Sequence, residues 1–313
     1  MTSMRVAIVA GGRTPERDVS LRGAHRIEMA LAELGHDAWT VDPAERKLVE
    51  ALRERAPDLC WLALHGMAGE DGTVQRLLDL EQIAYTGTRA LDCELTFDKV
   101  LAKDVLRRAD VPTPDWVVIE GSALRDLGAG VSLPAALDRV GLPCVVKPSR
   151  SGSALGVAVV ERAADLAGAV MGALSYSDAA IVERRVLGTE VAAAAIGDPL
   201  ELLPLVEIAP KDGVYDYGAR YTAGATDYWA PARLEAATAA TVTGVAGNAL
   251  TALTIRSVGR VDLIVDADGR PWVLEANVSP GMTDTSLVPM AAAAAGLSLA
   301  QMCDRIIQTP GSR

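Results

Sequence analysis

The first 85 residues alternate short apolar runs with amphipathic stretches, and this alternation constrains the fold more than any other feature. Strand-like segments at 5–10, 38–41, 59–64 and 83–85 are separated by helix-like segments at 14–34, 45–55 and 73–80. A strand–helix order of this kind needs crossover connections, so it predicts a parallel sheet flanked by helices. The first turn, Ala10-Gly11-Gly12-Arg13-Thr14-Pro15, lacks the G-x-G-x-x-G spacing of a dinucleotide fold. A chain of 313 residues is long enough for two or three domains. A second unit is expected from about residue 94, where Pro112 and Pro114 break the chain after a helix and 121–133 reads as a surface connection. A third is expected from about residue 190.

Composition removes several classes of function. A net charge of −11 and an aromatic share of 4% argue against a nucleic-acid partner, which needs a basic face and stacking rings. They do not exclude ATP, which needs only a local cluster of cations. Cys60, Cys93, Cys144 and Cys303 are scattered, with neither a C-x-x-C pair nor a histidine at ligand spacing. They are expected to be reduced thiols packed as small hydrophobes in a cytoplasmic protein. No segment approaches the roughly 18–20 apolar residues that span a bilayer, so no membrane partner is expected. The Ala-rich stretch at 290–300 suits a buried helix.

The chemistry-bearing pattern lies near the C-terminus. Arg260–Val265 and Pro271–Asn277 read as two strands joined at Asp268-Gly269, a hairpin signal. A turn centred on that dipeptide pairs Asp262 with Glu275 and Arg260 with Asn277, which puts all four on one face. Val261, Leu263, Val265 and Val273 are assigned to the opposite, buried face. An Asp, a Glu and an Asn together are hard oxygen ligands suited to Mg²⁺, and Arg260 adds a fixed cation for phosphate or an oxyanion. The same pattern also suits a polar-faced hairpin with a surface ion pair.

Four other segments are candidates. Lys147 ends a strand and precedes a small-residue loop, Ser149-Arg150-Ser151-Gly152-Ser153-Ala154-Leu155-Gly156, which can act as a phosphate cradle or as an ordinary turn. Only five of the thirty basic residues are lysine, which makes Lys99 and Lys147 more notable. Ile181–Glu190 is a strand running into a turn, either a heterocycle-binding edge or a solvated one. Glu16 follows Thr14-Pro15, a good helix start, so N-terminal capping is its default role. His65 sits at the carboxyl edge of the parallel sheet, where ligands of such sheets bind. Tyr215, Tyr217 and Tyr221 fall in one amphipathic loop able to close over a site.

Several strings together resemble the D-alanine–D-alanine ligases of the ATP-grasp superfamily, over nearly the whole chain. They are residues 11–21, 63–73, Tyr85-Thr86-Gly87, Asp98-Lys99, 146–150, Tyr221, Gly259–Asp262, Glu275-Ala276-Asn277, 279–283 and 286–290. The resemblance implies an α/β three-domain ATP-grasp fold with an N-terminal parallel-sheet domain, divided as 1–95, 96–188 and 189–313. It implies a homodimer that joins two D-alanine molecules at the expense of ATP, through an acyl phosphate, for peptidoglycan precursors. Asp262, Glu275 and Asn277 would hold two Mg²⁺ ions, with Mn²⁺ as a substitute. Lys99 and Lys147 would bind phosphate, while Glu183, Val186 and Glu190 would read adenine and ribose. Glu16 would take the first ammonium, linked to Ser153 and Tyr221, with His65 close to that substrate. Arg260 and the Gly281 N–H would form the oxyanion hole. Ser286, Leu287 and Arg220 would meet the second substrate.

The chain departs from the family pattern at Ser151 (usually Glu), Ala154 (often Ser), Arg185 (usually aromatic) and Gly218-Ala219-Arg220-Tyr221 (commonly Glu-Ala-Lys-Tyr). These positions bear on loop closure and on the second substrate. Two alternatives therefore stand beside D-alanine ligation: a related dipeptide ligase with another second substrate, and a nucleotide-binding paralogue without turnover.

Overall fold

The computed structural model describes residues 3–211 and 224–309. The N-terminal alternation folds as read. Strands β1 (Arg5–Val9), β2 (Asp37–Val41) and β3 (Leu59–Leu62) form a parallel sheet of order β2-β1-β3, with helices α1 (Arg17–Glu33), α2 (Leu48–Arg55) and α3 (Thr73–Leu80) as crossovers and flanks. The expected fourth strand contributes only one parallel bridge, Cys60 to Tyr85. The next residue, Thr86, turns its hydroxyl to accept from the Leu62 N–H at 3.2 Å, so a side chain replaces the next backbone acceptor.

The start of α1 differs from the capping reading. Thr14 donates its hydroxyl to the His65 carbonyl, and the helix begins at Arg17 with Glu16 as the preceding residue. The Glu16 carboxylate makes no capping hydrogen bond.

Helices α4 (Ala90–Phe97) and α5 (Lys99–Arg108) lead to a four-stranded antiparallel sheet of β4 (Trp116–Glu120), β5 (Cys144–Pro148), β6 (Ala158–Val160) and β7 (Ala179–Arg184), in the order β4-β7-β5-β6. The segment expected to be a surface connection instead contains α6 (Gly121–Asp126), a 3-10 turn at Ala129–Ser132 and the start of α7 (Leu133–Val140). Leu124, Leu133 and Leu137 explain the difference, because they pack against this sheet's core. That core is separate: Cys144, Val146, Ala180 and Val182 face α7 and α8 (Leu166–Ala173), while Lys147 and Glu183 point to the other side.

The third sheet contains β8 (Thr189–Gly197), β9 (Glu201–Leu202), β10 (Val206–Pro210), β11 (Thr226–Trp229), β12 (Ser257–Val265) and β13 (Pro271–Asn277), in the order β11-β10-β8-β12-β13 with β9 beside β8. Strand β8 is buried on both faces. Ala192, Ala194 and Ile196 join one core, and Val191, Ala193 and Ala195 the other, as a period of two requires. The first of these cores is shared with β1, α1 and the C-terminal helices α10 (Leu287–Ala294) and α11 (Leu299–Ile307), so the N-terminal sheet and the third sheet are fused. The second takes α9 (Ala236–Ala252) together with Cys93, Ala102 and Leu106 of α4 and α5.

Among the described residues no single helix is long and apolar enough to cross a membrane. Helices α10 and α11 have the composition together but bend by 107°, and they bury Val288, Ala291, Met302 and Ile306 in the core. All four cysteines are free and buried, and burial pushes the Cys60 and Cys303 thiols up to about 12.

Candidate active site

The hairpin of β12 and β13 is the floor of the site, and its register comes from two offsets that cancel. Asp266 N–H donates to the Arg270 carbonyl at 3.0 Å, so the turn holds three residues, Ala267, Asp268 and Gly269, with Gly269 left-handed at φ 78°. Near the turn the pairs are therefore one residue off those expected for a two-residue turn: Val265 with Pro271, Leu263 with Val273. The register then shifts at Leu274, and beyond it Asp262 faces Glu275 and Arg260 faces Asn277. Strict alternation would put Val273 and Glu275 on the same face. The bulge instead lets Val273 stay in the core while Glu275 and Asn277 turn to the site.

Above this floor lies a cleft of about 460 Å³ between the two antiparallel sheets. One wall carries Lys147, Glu183, Arg185 and Val186; the other carries Glu190, Asp262, Ile264, Leu274 and Glu275. A smaller chamber of about 100 Å³ adjoins it, lined among others by His65, Ser153, Arg260, Asn277, Gly281, Ser286 and Leu287. Lys99, Ser151 and Glu275 line both, so they mark the junction.

The charges around the junction are neutralised pairwise. Arg260 makes a two-pronged contact with Asp262, Nε to Oδ1 at 2.7 Å and a terminal nitrogen to Oδ2 at 2.8 Å, and both side chains are buried. Lys99 donates to the Ser151 carbonyl at 2.7 Å and lies 3.4 Å from Glu275, tying the small-residue loop to the hairpin. Within that loop Ser153 and Ala154 adopt left-handed backbone, φ 51° and 57°. Successive residues of this kind form a tight turn that can aim N–H groups at an anion.

On the wall of the central sheet, Lys147 donates to Glu183 Oε1 at 2.9 Å, and Lys103 lies 2.5 Å from Oε2 in an ion pair outside aligned hydrogen-bond geometry. Burial alone would raise the Glu183 pKa, but the two lysines hold it below the usual carboxylate value.

Glu16 is 2% exposed and approaches the chamber from the N-terminal sheet. A Cβ on Gly152 would come within 3.2 Å of its Oε1, and one on Gly66 within 3.5 Å of Oε2. The two glycines thus leave room for the carboxylate between the sheet edge and the loop. His65 Nδ1 is 3.0 Å from the Ser279 carbonyl, and the Ser279 hydroxyl donates to Leu64 O at 3.0 Å, so the segment after β13 is pinned to the N-terminal sheet. That segment brings Gly281 against Ser286, whose oxygen would lie 2.8 Å from a Cβ there. Ser286 precedes α10, placing a helix N-terminus at the chamber.

Every candidate residue that is described therefore falls at the cleft, at the chamber, or, for Glu16, against the loop beside it. Arg220 and Tyr221 lie outside the described residues, as do Tyr215 and Tyr217. Two residues at or behind the site were not singled out in the sequence. Glu70 lines the chamber and accepts from the Gly66 N–H at 3.2 Å. Lys103 is the second, and its position four residues after Lys99 on one helix was an available signal.

A nucleotide-sized cleft between two antiparallel sheets, with a carboxylate-bearing hairpin as its floor, is the ATP-grasp arrangement. A family model described as D-ala D-ala ligase C-terminus matches residues 105–308. The chain is 40% identical over 305 residues to the D-alanine–D-alanine ligase of Moorella thermoacetica, covering 97% of this chain and 98% of that protein. The ATP complex of the D-alanine–D-alanine ligase from Bacillus anthracis superposes with a TM-score of 0.83 at 28% identity, covering 98% of this chain and 97% of that one. The VanG D-Ala:D-Ser ligase from Enterococcus faecalis gives 0.84 at 26%, covering 98% and 99%. The chain belongs to the D-alanine–D-alanine ligase family.

Proposed function

We propose that this protein joins two D-alanine molecules with ATP as phosphoryl donor, supplying the dipeptide for peptidoglycan precursors. The observation that carries the reading is the junction at Lys99, Ser151 and Glu275, where the cleft and the chamber meet. ATP in the cleft would present its terminal phosphoryl group to a carboxylate in the chamber. That carboxylate takes the phosphoryl group, giving an acyl phosphate and ADP. The amine of the second D-alanine then attacks the carbonyl carbon, loses a proton, and phosphate leaves. Such a sequence depends on charge neutralisation and in-line positioning more than on a covalent protein group.

The residues divide the work. Glu16 holds the first ammonium, with Ser153 and Tyr221 completing the contact and His65 beside it. Lys99 and Lys147 meet phosphate oxygens; Glu183, Val186 and Glu190 meet adenine and ribose. Arg260 and the Gly281 N–H stabilise the oxyanion of the tetrahedral intermediate. Ser286, Leu287 and the N-terminus of α10 receive the second carboxylate, with Arg220 nearby.

Asp262, Glu275 and Asn277 fit Mg²⁺. They are two carboxylates and an amide oxygen on one hairpin face, and Mg²⁺ takes one or two protein carboxylates plus substrate phosphates. Among the described residues no group of three His, Cys, Asp or Glu side chains could hold a metal alone, so phosphate oxygens would complete the shell. Bound there, Mg²⁺ supplies charge neutralisation for the phosphates. Homodimeric assembly and a cytoplasmic location belong to the same proposal, the second supported by four free thiols.

The test is phosphate release from ATP and Mg²⁺ with D-alanine alone, against L-alanine, D-serine and D-lactate. Turnover with D-alanine alone and a dipeptide product is expected. A second reading, D-serine as the second substrate, is motivated by the match to the D-Ala:D-Ser ligase and by Arg220. A several-fold faster rate with D-alanine plus D-serine would favour it. Nucleotide binding without turnover under any condition would overturn both.

A further inference from the structure

Lys103 lies outside the cleft and takes no substrate or nucleotide contact in the proposal above, yet it is 1% exposed and is held against Glu183. It sits with Glu183 and Lys147 in a cluster of one carboxylate and two lysines. The cluster therefore gives one buried carboxylate two lysine partners. Desolvation pushes the Lys103 ammonium down to about 8, with Glu183 opposing the shift and Lys147 reinforcing it.

The two lysines are not equivalent. Lys147 lines the cleft and ends a strand beside the small-residue loop. Lys103 is held from several sides. It contacts Glu183 Oε2, donates to the Thr113 hydroxyl, and lies 4.9 Å from the centroid of the Trp116 ring. Thr113 in turn donates to the Val273 carbonyl at 2.9 Å, beside the Leu274 bulge that directs Glu275 to the site. The chain Glu183–Lys103–Thr113–Val273 thus links the two walls of the cleft behind the nucleotide position.

We propose that Lys103 is a positioning residue for nucleotide binding: it keeps Glu183 charged and oriented when Lys147 leaves that carboxylate for a phosphate oxygen. The inference rests on the cleft being the ATP site. Without Lys103, nucleotide arrival strips Glu183 of its remaining cation and leaves a buried carboxylate unpaired. The ligand-free protein suffers less, because Glu183 and Lys147 still balance.

The test compares wild type, Lys103→Met and Lys103→Arg by calorimetric titration with ADP and Mg²⁺, by thermal melting without nucleotide, and by KM for ATP and for D-alanine. Lys103→Met is expected to lose at least tenfold in ADP affinity and to raise the KM for ATP similarly. The KM for D-alanine and the ligand-free melting temperature should stay near wild type, and Lys103→Arg should recover part of the nucleotide affinity. Wild-type affinity in Lys103→Met would overturn the proposal. So would an equal loss toward both substrates with a large fall in melting temperature, which marks a structural residue. ADP titration keeps the two readings separable. Wild type that binds ADP without D-alanine turnover would sink the ligase reading and leave Lys103 testable, whereas wild type that does not bind ADP would sink both.

Discussion

The two walls of the cleft are built on different principles. The hairpin wall belongs to a sheet whose two faces lie in two large cores, one of them shared with the N-terminal sheet and the C-terminal helices. The central-sheet wall rests on its own core of Cys144, Val146, Ala180, Val182 and the apolar faces of α7 and α8. Helix α5 faces both ways. Ala102 and Leu106 are buried with the hairpin sheet, while Lys103 and Arg107 reach Glu183 and Trp116 of the central sheet and Lys99 lies between Ser151 of the small-residue loop and Glu275 of the hairpin. One wall is thus fixed by apolar packing, and the other meets it through charges. Apolar packing gives a rigid floor for phosphoryl transfer, and ion pairs can re-partner when a polyanion binds.

Four outcomes would break or sharpen that contrast. The largest belongs to the floor: Glu275→Gln should lower dipeptide formation by roughly 1,000-fold or more, the several kcal/mol that charge neutralisation at transferring phosphate contributes. Near-normal steady-state turnover would remove Glu275 from the metal set. Next come the cores. Leu31→Ala and Leu166→Ala should each cost about 2–5 kcal/mol, but hydrogen exchange should show different reach. Leu31→Ala, in the shared core, should expose amides in the N-terminal and hairpin sheets together, and Leu166→Ala only those of the central sheet. Identical exchange patterns would mean that the walls are not independent.

Glu16→Ala comes third. Losing one charged hydrogen bond should raise the KM for the first D-alanine by roughly 10–100-fold and leave the KM for ATP unchanged. Equal effects on both would place Glu16 elsewhere. The smallest effect lies away from both walls. Asp42 accepts from the Gly12 and Ala44 N–H groups and pairs with Arg17. Burial opposes its ionisation, but these partners hold its pKa below 3.8. A depressed carboxylate stabilises above its unfolded pKa and loses that contribution as pH falls through the folded value. Asp42→Asn should therefore lower Tm by roughly 2–4 °C at neutral pH, and the gap should close below about pH 4. A gap that persists in acid would point to lost packing instead of lost charge.

Legibility in the sequence follows the range of the interactions. The parallel sheet was readable because apolar periodicity is local: β1 and β3 lie within their expected segments, and β2 begins one residue before its own. The polar face of the hairpin was readable because Asp262 and Glu275 lie close in sequence. The expected pairing was right, but the route was not, since the three-residue turn and the Leu274 bulge cancel each other. A bulge has no reliable local signature. It forms where Val273 is held by the core and Glu275 by the site, and both demands are tertiary. The Glu16 capping reading failed for a similar reason. Thr14 found a partner at His65, 51 residues away, and the carboxylate was freed.

By itself, the sequence determined the order of strands and helices, the face of the hairpin that carries oxygen ligands, and the family. Each is encoded in short-range pattern or in strings of residue types. Only the tertiary structure decided that Lys103 shares Glu183 with Lys147, that Glu16 stands against Gly152, and that the cleft and the chamber meet at Lys99. Those contacts join residues far apart in the chain, and a buried charge finds its partner only after the apolar layers have set the distance between them.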